Sequence, residues 1–528
     1  MENELNLSFP PAGHPGDLPA SPVGRVPYTM APPFVERLPD RIAGRALVLL
    51  AIGGLLAQLL FYGQSVGINF PLWVAFVIGA AIVVRRPSAR MDRLDGWIPV
   101  AALVFASFCA LRTDGMLLLF DVAATGTLTL AAIVAIGGQP LTRYSWGSIV
   151  SYAVRAIAVY FLGAAHLTNG FRALPRSRAD RQTTPWRIAR GLVYAAPFLI
   201  LFVALFAGAD AVFSTFVRQL LPINLAPPDL VGRVIVAVLA AWLLGGAIVC
   251  GWLTRDHEDA VADEPNPAAA RIGATEAAVI LASIDALFLV FVALQAAYLF
   301  GGLDTLAVTG MTYSEYARRG FGELIAAALL SGIVLILLGN AVSERGRVYR
   351  VLASLLALAT GIVVASAFIR ITLYQQAYGW TELRFYSVAG IGWLAICAAI
   401  SLVAVVLDRI AFLPKLALGG GLVIAVVCNA VGPQAFVTQQ NIARVLDPSL
   451  VSPGGESGLD VRYLSSLDAD AARVLAASVT ALPDDVRSQV DAALSQARAN
   501  LDSDVQRGWP SWNYARQEAL DALAAAGY

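Results

Sequence analysis

Long apolar runs, broken by short charged segments, make up most of this chain. The run at 230–252 contains a single charge, Arg233 near its start. Crossing a hydrocarbon core of roughly 30 Å takes about 20 apolar residues, and each run must be helical because lipid cannot satisfy backbone polar groups. We therefore predict an all-α fold, a polytopic transmembrane helix bundle of about 11 spans. The spans are predicted at about 46–62, 69–84, 96–112, 115–136, 190–208, 230–252, 276–300, 321–341, 350–371, 385–407 and 414–431.

The segment 149–169 decides the predicted topology. Its length would allow a span, but Arg155 lies near its middle and His166 near its end. Basic loops usually face the cytoplasm, and four basic loops share one side only if 149–169 does not cross. We therefore predict an amphipathic helix on the cytoplasmic interface, a cytoplasmic N-terminus and an extracytoplasmic C-terminus. If 149–169 crosses, the N-terminal half has to invert to keep the C-terminus outside. The basic residues of the four loops are Arg85, Arg86, Arg90 and Arg93; Arg172, Arg176, Arg178, Arg181, Arg187 and Arg190; Arg345, Arg347 and Arg350; Arg409 and Lys415.

The two ends of the chain differ from its membrane part. Residues 1–40 are rich in proline and lack an apolar run, which predicts a disordered tail and no cleavable signal peptide. Residues 41–431 form the predicted transmembrane domain. From 432 to 528 the apolar runs stop while helical periodicity continues, so we predict a small soluble helical domain there. Asp468 and Asp484 are predicted to cap two of its helices.

Composition narrows the class of protein. Only 14% of the residues are charged and 58% are hydrophobic, whereas an average globular chain is about 25% charged. The net charge is zero, which argues against nucleic acid as a partner. The four cysteines lie inside apolar runs and the three histidines are isolated, so the sequence predicts no metal site and no cofactor. The predicted partner is the lipid bilayer.

Two acidic residues are predicted to lie at membrane depth. Asp285 follows Glu276 by nine residues, roughly 14 Å along a helix, which puts it near the midplane. Asp121 lies about 9 Å into its span. Because an unpaired charge inside a membrane costs several kcal/mol, such residues indicate either a function or a buried partner.

A second set of polar residues is predicted to gather at the outer ends of the spans. Arg370, Tyr374 and Tyr378 are spaced i, i+4, i+8 and therefore share a helical face. The loops 302–320 and 372–384 are predicted to face the same side as the C-terminal domain. We expect a ligand or partner site there; the alternative is that these side chains only anchor helices at the interface or close loops. The candidate residues are Gln295, Tyr298, Tyr316, Arg318, Arg319, Glu323, Arg370, Tyr374, Glu382 and Arg384.

Two motifs of this outer set are distinctive, YSEYARRGF at 313–321 and YGWTELR at 378–384. They resemble a family of bacterial multi-pass membrane proteins that is known only as a domain of unknown function, of the 4153/4173 type. The resemblance covers about 190–528 and implies a bacterial membrane protein, but it implies no reaction, cofactor or catalytic residue. The matching stretches are 197–213, 275–302, 311–324, 365–384, 439–444, 460–471 and 509–520.

Three classes of function are compatible with these features. The first is a receptor, sensor or scaffold of the bacterial inner membrane, with an extracytoplasmic polar site for an anionic small molecule, a lipid headgroup or a membrane or signalling protein partner. The alternative is a transporter or permease with a polar route past Asp285. The third is a membrane-embedded enzyme acting on a lipid-linked substrate, with Glu323 or Glu382 as base. Because the sequence has no nucleophile or metal motif, it favours a protein that is not an enzyme, and the first class slightly over the second.

Overall fold

The chain is helical throughout the part that the structure describes. A computed structural model describes residues 38–162, 167, 229–253, 272–300, 321–342, 345–452, 455–456 and 458–528, with the backbone alone at 229–231, 295–300 and 505. These ranges contain sixteen α-helices and no β-strand, which confirms the all-α prediction. The helices are α1 (Asp40–Phe61), α2 (Asn69–Val83), α3 (Trp97–Leu111), α4 (Gly115–Ile136), α5 (Trp146–Leu162), α6 (Asp229–Cys250), α7 (Ala274–Phe300), α8 (Phe321–Ala341), α9 (Arg347–Tyr378), α10 (Glu382–Val406), α11 (Leu413–Val431), α12 (Pro433–Leu446), α13 (Val461–Ser465), α14 (Ala469–Ser478), α15 (Asp484–Val505) and α16 (Tyr514–Ala525).

Nine segments of the described residues are long and apolar enough to cross a membrane. Seven are the helices α1, α4 and α6 to α10, and the other two are α3 and α11, each extended by the 3-10 turn before it, at Arg93–Leu111 and Ile410–Val431. This confirms the prediction of a multi-pass bundle. Helix α2, predicted as a span, has only 15 residues and therefore a length of about 22 Å, less than the hydrocarbon core. The predicted span at 190–208 lies outside the described residues, so the total of about 11 spans stays a prediction.

The membrane helices pack as two halves. In the first half, α1 to α6 surround one core that includes Phe105 and Trp252. In the second half, α7 to α10 enclose two smaller cores, one around Leu356 and one around Val364. Helix α11 packs on α10 and also on α4, where its Leu422 reaches the core of the first half. The α4–α11 contact therefore joins the two halves within the membrane part.

Helices α12 to α16 follow the last membrane helix, and we call them the tail domain. Gly432, with a left-handed φ of +70°, turns the chain from α11 directly into α12. The tail domain has its own core, which includes Leu475 and Leu494. Trp380 and Phe385, before and inside the first turn of α10, pack against that core. The tail domain thus rests on the second half of the bundle.

The tail domain also binds the first half. The backbone amide of Ser65, after α1, donates to the hydroxyl of Ser511 at 2.9 Å. The amide of Ile68 donates to the carbonyl of Trp512 at 2.9 Å. The tail domain therefore bridges both halves at one end of the bundle, which we call the tail end.

Three of the four basic loops lie at the other end of the bundle. Arg86 donates to the carbonyl of Leu253, after α6, at 2.7 Å. Arg345, before α9, pairs with Asp408 at 2.6 Å. Lys415 donates to backbone carbonyls of the segment after α4. These loops share one end, which is the arrangement that the predicted topology requires.

Helix α5 covers most of the segment 149–169, which the sequence predicts to lie on the membrane interface and not to cross. It follows the segment that binds Lys415, so it starts at the end opposite the tail domain. Its last turns pack closely on α6, because a Cβ added at Gly246 would lie 1.8 Å from the carbonyl oxygen of Tyr160. The interfacial position of 149–169 stays a prediction, and the fourth basic loop, at 172–190, lies outside the described residues.

Neither aspartate predicted to cap a tail helix does so. Asp468 stands at the N-cap position of α14, but its carboxylate makes no capping hydrogen bond. Asp484 is the first residue of α15, and Pro483 takes the N-cap position. The caps were predicted from residue type alone, and the side chain of Asp468 lies instead along a cavity of the tail domain.

Candidate functional site

The end of α9 brings two of the predicted site residues into contact. The guanidinium of Arg384 donates to the carbonyls of Tyr378, at 2.9 Å, and Gly379, at 2.5 Å. Its Cζ lies 4.2 Å from the centroid of the Tyr374 ring, a cation–π contact. Helix ends leave carbonyls without intrahelical partners. Arg384 therefore completes the end of α9, and much of its hydrogen-bonding capacity is used inside the protein.

Of the other residues in the predicted outer set, the structure describes the side chains of Arg370 and Glu323 as well as that of Glu382. Arg370, one turn before Tyr374 on α9, is 9% exposed. Glu323 is exposed in the first turn of α8, whose Leu324 packs in the same core as Ile371. The side chains that are not described are those of Gln295, Tyr298, Tyr316, Arg318 and Arg319. The clustering of the whole set stays a prediction.

Glu382 faces the tail domain. Its Oε1 accepts a hydrogen bond of 2.8 Å from Nε2 of Gln434, on α12. The Oε1 of Gln434 in turn accepts the backbone amide of Asp468 at 3.0 Å. The backbone amide of Glu382 donates to the hydroxyl of Tyr463 at 2.8 Å. Glu382 thus connects the start of α10 directly with α12 and α13, and through Gln434 with the start of α14.

A chain of four polar residues runs from the tail domain into the membrane part. Asp470, on α14, pairs with Arg112 at 3.2 Å. The Nε of Arg112 donates to the backbone carbonyl of Asn429 at 2.9 Å, and Nδ2 of Asn429 donates to Oδ1 of Asp121 at 2.9 Å. Asp121 is fully buried, and its Oδ2 has no hydrogen-bond partner among the described residues. We call these four residues the polar chain.

A further carboxylate, Asp114, lies at the start of α4, beside the polar chain. Asp114, 1% exposed, caps α4 through its Oδ1, and its Oδ2 accepts the hydroxyl of Tyr386 at 2.8 Å. Burial raises the pKa of Asp470, and the charge of Arg112 opposes that rise. Among the described residues, no group of three or more histidine, cysteine, aspartate or glutamate side chains could hold a metal ion.

The second predicted intramembrane carboxylate, Asp285, stands apart from the polar chain. It lies on α7, in the other half of the bundle from Asp121. Asp285 is 2% exposed, and neither carboxylate oxygen has a hydrogen-bond partner among the described residues. Burying a carboxylate without a hydrogen bond is costly, so Asp285 is a polar group whose presence at this depth the described residues do not explain.

Sequence reasoning found one member of the polar chain and missed three. Asp121 was identified by its depth in an apolar run. Arg112 directly follows a run and Asn429 interrupts another near its end, so each is a polar residue at the tail end of a span. Those positions could have suggested both as partners of Asp121, whereas nothing local marks Asp470.

A family relationship covers most of the chain. The sequence profile of the family described as "Domain of unknown function (DUF4153)" matches residues 100–478, which is 379 of the 528 residues. The match begins earlier than the predicted resemblance at about 190 and ends before the predicted motif at 509–520, and it contains the whole polar chain. No curated protein and no solved structure matches the chain. The chain therefore belongs to the DUF4153 family and is a multi-pass membrane protein.

Proposed function

We propose that this protein is a membrane receptor or scaffold whose tail domain carries the binding part and transmits its state to the bundle. The observation that supports the proposal best is the polar chain from Asp470 to Asp121. It joins a helix of the tail domain to a carboxylate buried in α4 through three contacts, with Arg112 and Asn429 between the two ends. A receptor needs such a physical link between its binding domain and its membrane helices, and it needs no catalytic motif.

Arg112 is the residue on which this coupling depends. It binds the side chain of Asp470 at 3.2 Å and the carbonyl of Asn429 at 2.9 Å. Hydrogen bonds that involve charged groups are short and directional, and losing one partner of a buried pair is costly. A displacement of α14 therefore has to move Arg112 and α11, or break one of these bonds. Either outcome changes the surroundings of Asp121.

The coupling is testable by hydrogen–deuterium exchange of the purified protein. We expect Asp121→Ala to raise the exchange rate of the α14 amides by about fivefold, close to 1 kcal/mol. The variant removes the carboxylate that anchors Nδ2 of Asn429 to α4 and leaves that nitrogen only its bond to the carbonyl of Ala425, which weakens the contact between α4 and the end of α11 that binds Arg112. Asp285→Ala is the matched control, since it removes a buried membrane carboxylate outside the polar chain. Equal exchange of α14 in both variants and in the unaltered protein would contradict the proposal.

The tail domain is proposed to lie outside the inner membrane. The basic loops around Arg86, Arg345 and Lys415 lie at the bundle end opposite the tail domain, and positively charged loops are retained in the cytoplasm. We expect alkaline phosphatase fused after Tyr528 to be active, because it folds only where its disulfides form. A fusion after Gly346 is the control and should be inactive. An active fusion at Gly346 together with an inactive one at Tyr528 would invert the orientation.

An anionic ligand, such as a phosphate-bearing small molecule or a lipid headgroup, remains a proposal for the neighbouring outer set. Arg370, buried on α9, and Arg384 are the described cations of that set. The guanidinium of Arg384 also binds the carbonyls at the end of α9. A protein partner would contact the same tail end, where Glu323 is exposed.

A transporter is the second candidate, and Asp285 favours it. Both carboxylate oxygens of this buried residue are without a hydrogen-bond partner among the described residues. A membrane carboxyl group that has no fixed partner can exchange a proton or bind a passing cation, as ionisable groups in transporters do. If the protein is a transporter, we expect Asp285→Asn to abolish transport and to leave the hydrogen–deuterium exchange of the α14 amides unchanged.

A further inference from the structure

The tail domain contains a cavity of about 380 Å³. It lies between α14, α15 and α16, and Thr113 from the loop between α3 and α4 also lines it. Its size is within the usual range of roughly 300–1,000 Å³ for small-molecule sites. One face of α15 forms a continuous wall, in which Ala493 and Ala497 leave the space open and Gln496 and Asn500 supply amide groups.

Two of the charged residues in this cavity are already engaged. Asp504 pairs with Arg507 and with Arg516, each at 3.2 Å. Arg516 also donates to the hydroxyl of Ser65 and to the carbonyls of Val66 and Ser511. Its guanidinium is therefore held against the first half of the bundle and is poorly placed to bind a ligand.

Asp468 is the acidic residue of the cavity that remains available. Its side chain is exposed along the cavity, and its carboxylate makes no hydrogen bond or ion pair with the described residues. Although it stands at the N-cap of α14, it does not accept the amides of that helix, which an aspartate at this position usually does. The carboxylate is thus directed to the space that Gln496 and Asn500 border on the other side.

We infer that this cavity is a binding site for a small organic cation, a primary ammonium compound with neighbouring hydroxyl groups. Asp468 binds the ammonium group. Nε2 of Gln496 donates to Oδ1 of Asn500 at 3.1 Å, so Oε1 of Gln496 and Nδ2 of Asn500 are the amide atoms that bind the hydroxyl groups. The inference rests on the proposed receptor function only for its physiological meaning, because binding depends on the cavity itself. It gives that receptor a ligand class and a place for the ligand, next to Asp470 and the start of the polar chain.

The surrounding charges favour a cation over an anion. The cavity walls remove part of the water around Asp468, and this desolvation raises its pKa. The charges of Asp114, Asp504 and Asp470 raise the pKa further, and Arg516 opposes them. A bound cation relieves this repulsion, whereas an anion increases it. The cation binds the ionised form of Asp468. The affinity of the cavity for the ammonium compound should therefore be highest above the raised pKa of Asp468 and should fall as the pH is lowered through that pKa.

Calorimetric titration of the full-length protein in detergent tests the site. Glucosamine and the smaller ethanolamine serve as ammonium probes, glucose as the neutral match to glucosamine, and inorganic phosphate as the anion. We expect saturable binding of an ammonium probe, about tenfold weaker binding of glucose, and about tenfold weaker binding of the ammonium probe to Asp468→Asn. Ala497→Leu should also weaken binding, because leucine fills the cavity. Asp485→Asn, an exposed change elsewhere on α15, should have no effect.

Several results would overturn the inference. These are no saturable binding of either ammonium probe up to about 10 mM, equal binding of glucose and glucosamine, unchanged binding to Asp468→Asn, or phosphate binding that Ala497→Leu removes. Thermal unfolding of each variant verifies that it is folded. The exchange experiment on Asp121→Ala uses no ligand, so the cavity and the coupling can fail independently.

Discussion

Asn513→Ala is expected to release the tail domain from the first half of the bundle. Asn513 is 2% exposed. Its Oδ1 accepts the amides of Ala515 and Arg516 at the start of α16, and its Nδ2 donates to the carbonyls of Cys109 and Arg112 at the end of α3. Losing the cap costs about 1 kcal/mol, and each buried carbonyl left unpaired costs about 1–3 kcal/mol. We therefore expect the tail domain to lose stability by on the order of 4 kcal/mol.

Thermal unfolding and limited proteolysis of the tail domain measure this effect. Asn513→Asp is the informative control, because aspartate keeps the capping oxygen but cannot donate to the two carbonyls of α3. Because its second carboxylate oxygen then lies against those two carbonyl oxygens in a buried site, Asn513→Asp should lose at least as much stability as Asn513→Ala. A change below about 0.5 kcal/mol for Asn513→Ala, the range of ordinary surface substitutions, would show that the docking does not depend on this side chain.

Gly246→Ala is expected to separate α5 from α6. The added Cβ would lie 1.8 Å from the carbonyl oxygen and 2.6 Å from the carbonyl carbon of Tyr160. Backbone atoms cannot rotate away as a side chain can, so the helices must move apart and strain the hydrogen bond of 2.7 Å from Trp242 to Phe161. Overpacking of this kind costs about 1–3 kcal/mol, more than the roughly 1 kcal/mol that alanine gains over glycine in a helix.

The matched control for this change is Gly361→Ala on α9. A Cβ at Gly361 would meet no heavy atom within 4 Å, so only the gain in helix propensity applies. We expect the melting temperature in detergent to fall for Gly246→Ala and to stay equal or rise for Gly361→Ala. If the melting temperatures of both variants equal or exceed that of the unaltered protein, the result would contradict the close packing of α5 on α6.

The membrane helices could be predicted because lipid imposes one rule on every span. An apolar run of sufficient length must be helical, so α6, α8 and α11 were found within a few residues of their observed ends. Helix α9 was predicted to end at 371 but ends at Tyr378, because the helix continues through polar residues after the apolar run stops. Its end is set by Gly379, whose φ of +74° leaves the helical region.

The site was harder to predict, because its contacts join distant parts of the chain. Asp121 was recognisable by depth, but its partner Asn429 lies 308 positions away, and hydropathy does not show which face of α11 meets α4. Arg384 looked like a free cation, since a sequence does not show which carbonyls a helix end leaves unpaired. For the same reason Asp468 was predicted as a cap, while its position along a cavity depends on three helices meeting.

The long separation in sequence between the tail domain and the helix it binds has a consequence for biosynthesis. Asn513 binds the carbonyl of Cys109, 404 positions earlier. At about 5–20 residues per second, a ribosome needs roughly 20–80 s to make the stretch between them. During that interval α3 has been synthesised, but the residue whose side chain binds the carbonyls of Cys109 and Arg112 has not. The first half of this protein therefore reaches its final set of contacts only when nearly the whole chain has been translated.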